Sequence, residues 1–261
     1  MMIRTEIRRV FLSKAFYVAC GLMLAFAYYG TSDEFRFLLG RGFLKDGIWQ
    51  EKFLLAAGYD GGLVPFLCPL TVALPYVLSY RKERDSGYRQ LMVLKTSPGA
   101  YRRAKLLSVA ASGATVMCIP LLCWMPVCIL LGTGKINHPI MSHMVQSYMQ
   151  PLFESHINLF VFIYLINAAL AGAAFALLGL GVSAVIRSRY LAVLFPFGFC
   201  LFSAIVLDSY EYGLHAFKLA VLGIAYWKNL YGVYGHILYL TFLLLLGMGL
   251  FIGGDLYAEK A

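Results

Sequence analysis

Residues 158–186 read NLFVFIYLINAALAGAAFALLGLGVSAVI, 29 consecutive positions without an Asp, Glu, Lys or Arg. At about 1.5 Å per residue a helix of that length outruns the roughly 30 Å hydrocarbon core of a bilayer. The run therefore predicts a transmembrane helix. Working outward from it, five further apolar runs of near-spanning length lie at 11–29, 62–80, 106–131, 190–207 and 236–254. Composition agrees: the 261 residues are 61% hydrophobic and 13% charged, with a mean hydropathy of +0.73, whereas soluble domains run at about 45–50% and about 25%. A soluble fold is excluded. The expected fold class is an all-α membrane protein with six transmembrane helices, forming a single domain over 1–261, because no repeat, low-complexity tract or linker divides the chain.

The net charge of +9 reads as a topology signal before it reads as a nucleic-acid footprint. With the N-terminus in the cytosol, 15 of the 22 Lys and Arg residues fall on the inner flanks and 7 on the outer ones, the asymmetry of the positive-inside rule. Both termini are expected in the cytoplasm of a multi-pass protein of the cytoplasmic membrane, with no nucleic-acid partner. The opening MMIRTEIRRVFLSK sets Ile3, Ile7, Val10 and Phe11 at helical spacing opposite Arg4, Arg8 and Arg9, which predicts an amphipathic elbow on the inner surface rather than a cleaved signal peptide. Residues 30–61 mix carboxylates with Phe35, Phe37, Phe43, Trp49 and Phe53 and suggest surface helices on the outer leaflet. The apolar stretch 214–227 is too short to span and interrupted by His215 and Lys218, so 208–235 is expected to form a re-entrant or interfacial hairpin before the sixth span.

Several activities fail on their own chemistry. The spans lack the buried carboxylates or His relay that a proton-coupled transporter needs, and Asn167, the most polar group at mid-depth, sits among small residues that favour helix packing. Ser183 and His236 fall at opposite ends of their spans, which separates the pair that an intramembrane serine protease would bring together. No HExxH occurs, and His138, His143 and His156 with Met141, Met144 and Met149 fit no metal-ligand spacing. The only Gly-Lys, Gly134-Lys135, lacks the preceding glycine of a phosphate-binding loop. The six cysteines all lie in apolar runs, so disulfides and thiolate metal sites are not expected. No cofactor and no catalytic residue is expected.

One inner loop carries more than topology. Residues 81–107 read RKERDSGYRQLMVLKTSPGAYRRAKLL. Glu83 to Lys95 is compatible with a short surface helix, and Ser97-Pro98 is a helix restart, Ser97 as N-cap and Pro98 at the first helical position. This segment resembles the loop of the membrane subunits of ABC transporters of the ABC-2 type: Glu83, Gly87, Leu91, Leu94, Ser97, Pro98, Tyr101 and Lys105 match its order of acid, glycine, leucines, small residue with proline, and lysine. Residues 175–194, a glycine-rich run with Ser183 before Arg187-Ser188-Arg189, are similar to that family's junction between fourth and fifth spans. The long outer loop and Tyr88 after Gly87 depart from the pattern.

The resemblance implies a permease that pairs with a second copy or paralogue and with separate ATPase subunits, so that ATP hydrolysis is not this chain's own. Glu83 to Lys95 would be the coupling helix, with Glu83, Arg84, Ser86, Gly87, Tyr88, Leu91, Leu94 and Pro98 contributing to ATPase coupling. A path at the permease interface would draw on the second and fifth spans: Phe66, Thr71, Tyr76, Phe195, Phe197, Phe199 and Ser203. Export of peptides or other amphipathic molecules is the function implied. The alternative is a membrane assembly or sensing subunit, or an intramembrane hydrolase.

Overall fold

The computed structural model describes residues 2–32, 47–58, 63–134, 149–186, 188–208 and 232–260. Every regular element among them is an α-helix. Among the described residues, three helices are long and apolar enough to cross a membrane: α7 (Pro98–Leu131), α9 (Ile157–Val185) and the bulk of α11 (Gly232–Lys260). Helix α9 is the centre, since 61% of its most apolar window is covered by the rest of the chain against 33% for α7 and 22% for α11. The decisive run of the sequence is thus the helix on which the others pack. Its neighbours include α4 (Leu63–Ala73), α7, α10 (Arg189–Asp208) and α11.

Small residues set that packing. A Cβ placed on Gly113 of α7 would lie 2.2 Å from the carbonyl oxygen of Gly172 on α9, and one on Gly172 would lie 2.5 Å from that of Gly113. On the other side of α9, a Cβ on Gly181 would meet the Gly247 carbonyl oxygen at 2.5 Å, and one on Gly254 would meet the Ala184 Cβ at 2.9 Å. Lipid tails are as apolar as leucine, so close backbone approach is the main source of helix association inside a bilayer.

At the N-terminus, α1 (Met2–Phe11) and α2 (Lys14–Gly30) meet at a 55° bend. Ser13 sits in the bend and accepts a hydrogen bond from Phe16 N at 3.2 Å, which makes it the N-cap of α2. At the far end of the bundle, α3 (Trp49–Ala56) is wedged between α2 and α7. The expectation of a surface helix in this part of 30–61 is overturned: Gln50, Glu51, Lys52, Phe53 and Leu54 are buried. Gln50 Nε2 donates to Asn158 Oδ1 at 2.8 Å, and Gly47 N donates to Thr133 Oγ1 at 3.1 Å. Asn158 on α9 thus holds α3, and Thr133, two residues past α7, holds the segment that leads into it. Residues 33–46 and the hairpin expected at 208–235 lie outside the described residues except at their margins.

The expected span at 62–80 is corrected. Helix α4 stops at Ala73 after 11 residues, residues 74–78 form turns, and α5 (Ser79–Asp85) follows. Pro75 removes a backbone donor and forces Leu74 away from helical geometry, which ends the helix just before it. The expected single helix over Glu83–Lys95 is also two, α5 and α6 (Tyr88–Lys95), with Ser86 and Gly87 between. Restart at Ser97-Pro98 is as expected, with Ser97 Oγ accepting from Ala100 N at 3.2 Å. The third apolar run is longer than expected, a 34-residue helix of roughly 51 Å, so its first turns extend past the hydrocarbon core. A short helix, α8 (Gln150–Ser155), precedes α9.

If backbone contact fixes α7 on α9, Gly113→Ala must push the two helices apart, whereas Gly249→Ala, with nothing within 4 Å of its Cβ, should be neutral. Thermal unfolding of the detergent-purified protein should show a loss of at least about 2 kcal/mol for Gly113→Ala and under about 0.5 kcal/mol for Gly249→Ala.

Candidate functional site

Among the described residues, two networks of buried ion pairs lie at the end of the bundle where α1, α5, α6 and the start of α7 meet the last turns of α11. On α1, Glu6 lies one helical turn before the buried Val10, on the face the helix buries, and it is itself almost fully buried. A carboxylate there needs partners, because an unpaired charge in a low-dielectric interior costs several kcal/mol. Arg9 Nη1 bonds Glu6 Oε1 and Glu83 Oε1, each at 2.8 Å. Lys105 Nζ bonds Glu6 Oε2 at 2.8 Å and Glu83 Oε1 at 2.9 Å. Two acids and two bases thus form a closed ring of alternating charge, net neutral. The remaining acceptors are served by Tyr76, whose hydroxyl donates to Glu6 Oε2 at 2.6 Å, and by Tyr101, whose hydroxyl donates to Glu83 Oε2 at 2.7 Å. Lys105, at 0% exposure, also stands 4.8 Å from the Tyr76 ring centroid.

A second ring repeats the arrangement. Arg89 of α6 bonds Asp255 through Nε at 2.7 Å and Glu259 through Nη2 at 3.0 Å. Arg102 of α7 does the same at 2.7 and 2.8 Å. Asp255 and Glu259 are one helical turn apart on α11, so each guanidinium fork spans both carboxylates. Tyr80 of α5 donates to Asp255 Oδ1 at 2.8 Å. Helices α5 and α7 contribute to both rings, and the rings between them join α1, α5, α6, α7 and α11.

The buried carboxylates are chemically saturated. Burial pushes the Glu6 carboxyl up, but the Lys105 ammonium beside it, the hydrogen bonds from Lys105 and Tyr76, and the Arg9 charge outweigh burial and hold it below the ordinary carboxylate range. Arg89 is driven up by Asp255 and Glu259 against the opposing effect of burial. A carboxylate so held is a poor general base, and the rings act as clamps. Among the described residues no group of three or more His, Cys, Asp or Glu is placed to hold a metal. His138, His143, Met141 and Met144 lie outside the described residues. Ser183 Oγ donates to Leu180 O within its own helix at 2.7 Å.

Several sequence-derived residues change role. Glu83 was expected to face an ATPase at the surface, yet it is only 3% exposed and belongs to the first ring, because it lies one turn from Tyr80 on the inward face of α5. Gly87 adopts φ +71°, and a Cβ there would touch nothing within 4 Å. Its glycine is therefore required by the left-handed turn that closes α5, with Gly87 N donating to Arg84 O at 3.2 Å. Tyr88 is stacked under the Arg9 guanidinium, 5.2 Å from ring centroid to Cζ. Ser86 Oγ donates to Glu83 O at 3.3 Å, and Pro98 begins α7. Arg84, Leu91 and Leu94 are exposed, the two leucines by 58% and 83%.

The candidate path residues do not form one lining. Thr71 is buried and bonds Leu67 O and Cys68 O at 3.1 Å and Met23 Sδ at 3.2 Å. Tyr76 belongs to the first ring. Phe66 packs edge-on against Phe197, 5.4 Å between centroids, and Phe195 stacks on Phe199 at 6.2 Å. Ser203 Oγ donates to Cys200 O at 3.1 Å.

Comparison of the chain with protein-family models, curated proteins and solved structures finds no match.

Removing one member of a buried ring strands its partners. Asp255→Asn should cost about 3–5 kcal/mol of unfolding free energy in detergent, whereas Arg189→Gln, which breaks only an exposed 2.9 Å pair with Asp85, should cost less than about 1 kcal/mol. The lowered Glu6 value has a definite sign: its stabilisation is complete above the unfolded carboxyl value of about 4.3 and is lost as pH falls through the lower folded value. Glu6→Gln should be less stable than the parent at neutral pH, and the gap should shrink with acidification below about pH 4.3. A pH-independent gap would contradict the assignment.

Proposed function

We propose that this chain is the membrane-spanning permease subunit of an ATP-driven exporter of the ABC-2 type, working with a separate ATPase and a second permease copy or paralogue. The observation that carries this reading is the division of labour on α5 and α6. Their inward residues Tyr80, Glu83 and Arg89 are tied through charged rings to α1, α7 and α11, while Leu91 and Leu94 on α6 stand out unburied. An apolar pair on a short helix suits a groove in a partner protein. A push delivered there would reach the long helices through rigid ion pairs rather than through a yielding loop. The ordered match from Glu83 to Lys105 supports the same reading.

In this account α1 is the elbow on the inner membrane surface, the ring-bearing end faces the cytosol, and α4 with α10 lies toward the permease partner. The passenger is a peptide or another amphipathic molecule, in keeping with the apolar and aromatic residues of α4 and α10. ATPase docking rests on Arg84, Leu91 and Leu94, with Glu83, Ser86, Gly87, Tyr88 and Pro98 shaping the segment that presents them.

The double variant Leu91→Asp/Leu94→Asp leaves both rings intact, so its thermal stability should match the parent. Its copurification with the cognate ATPase and its export activity should each fall by about tenfold or more. Undiminished copurification and export would refute the docking assignment.

A further inference from the structure

Beside the first ring lies an open cleft of about 240 Å³ between the α1–α2 bend and α5. Arg9, Ser13, Tyr76, Ser79, Lys82 and Glu83 supply its polar wall, the Glu83 carboxylate being already held by Arg9 and Lys105, and Leu74 and Pro75 form part of its apolar one. Three features give the polar wall a sign. Lys82 has no carboxylate partner among the described residues, and the neighbouring ring is neutral, so Lys82 leaves a net positive charge. Arg9 engages its two carboxylates through Nη1, and a guanidinium carries five N–H donors in all, so donors remain for an incoming group. The Ser79 Oγ is screened from solvent and has no hydrogen-bond partner among the described residues, although a buried hydroxyl is ordinarily satisfied. The first turn of α2 opens on the same cleft through Ala15 and adds the positive end of its dipole.

From this geometry we infer that the cleft between the α1–α2 bend and α5 binds an anionic phosphate group through Arg9, Lys82 and Ser79. Donors converge from α1, from α5 and from the start of α2, which suits a tetrahedral anion with several acceptor oxygens better than a planar carboxylate with two. The apolar wall of Leu74 and Pro75 suits the glycerol ester of a phospholipid. That the cleft lies at the headgroup level of the inner leaflet rests on the orientation proposed above, while the phosphate chemistry does not. Both a lipid phosphate and a soluble phosphate would satisfy the donors.

The test titrates the detergent-purified full chain, without any ATPase, with short-chain phosphatidic acid, with phosphatidylcholine of the same chain length and with inorganic phosphate. Lys82→Gln, Ser79→Ala and Arg103→Gln are compared. Arg103 is exposed near the start of α7, so its loss removes the same charge from the same end of the protein without touching the cleft. Saturable binding of phosphatidic acid, weakened about tenfold by Lys82→Gln and by Ser79→Ala and unchanged by Arg103→Gln, supports the site. Ser79→Ala should keep the parental melting temperature, since it deletes an unpartnered hydroxyl. Inorganic phosphate binding as tightly as phosphatidic acid, with the same variant pattern, supports the phosphate site and assigns it a soluble ligand. Equal loss in Arg103→Gln, parental binding in both cleft variants, equal binding of phosphatidylcholine, or no saturable binding at all overturns the inference. Because no ATPase is present, failure here is distinct from failure of the transport reading.

Discussion

Charge inside an apolar assembly is stable only when it is paired and its remaining hydrogen-bonding positions are filled, and the ring-bearing end of this protein follows from that constraint. Glu6, Glu83, Lys105 and Asp255 are all buried. Each is held by oppositely charged neighbours at 2.7–2.9 Å, and tyrosine hydroxyls bond all three of the carboxylates. Helix α5 serves both rings, because Glu83 closes one and Tyr80 buttresses the other. The break at Pro75 and the left-handed turn at Gly87 therefore have a structural purpose: they free α5 from α4 and α6 on either side so that it can lie across the helix ends.

The rest of the bundle is held by a different force. Along α9 the close approaches to α7 and α11 centre on Gly113, Gly172, Gly181, Gly247 and Gly254, where an added Cβ would collide with the facing helix. The molecule thus has a close-packed apolar body and an ionic end, joined by α7, which runs through both. A helix of 34 residues is long enough to do so. In the transport reading, the apolar body contains the moving parts and the ionic end transmits force to them.

The sequence makes part of this plain. Periods of uncharged residues identify α7, α9 and α11, and the Ser97-Pro98 signal places the start of α7, because caps and hydropathy are local. Pro75, just past the end of α4, is equally visible, yet a hydropathy reading over 62–80 averages across it. The rings are harder to read, since Glu6 is 99 positions from Lys105 and Asp255 is 166 from Arg89 in the chain, and each acid looks like an ordinary charge at a helix end. One local sign exists: Glu6 lies one helical turn before Val10 on α1, and an acid on a buried face calls for a base elsewhere. Glu83, matched to a surface role by position in a motif, faces inward because α5 turns Tyr80 and Glu83 to the same side.

The central claim is that Glu83 and Lys105 are energetically coupled across α5 and α7, and a double-mutant cycle measures that coupling directly. Unfolding free energies in detergent would be compared for the parent, Glu83→Gln, Lys105→Met and the double variant. The account predicts losses of about 3–5 kcal/mol for each single variant. The double variant should lose less than their sum by roughly 1–3 kcal/mol, because removing the second charge relieves the one left stranded. Additive losses would contradict the ring as the feature that holds these helices together.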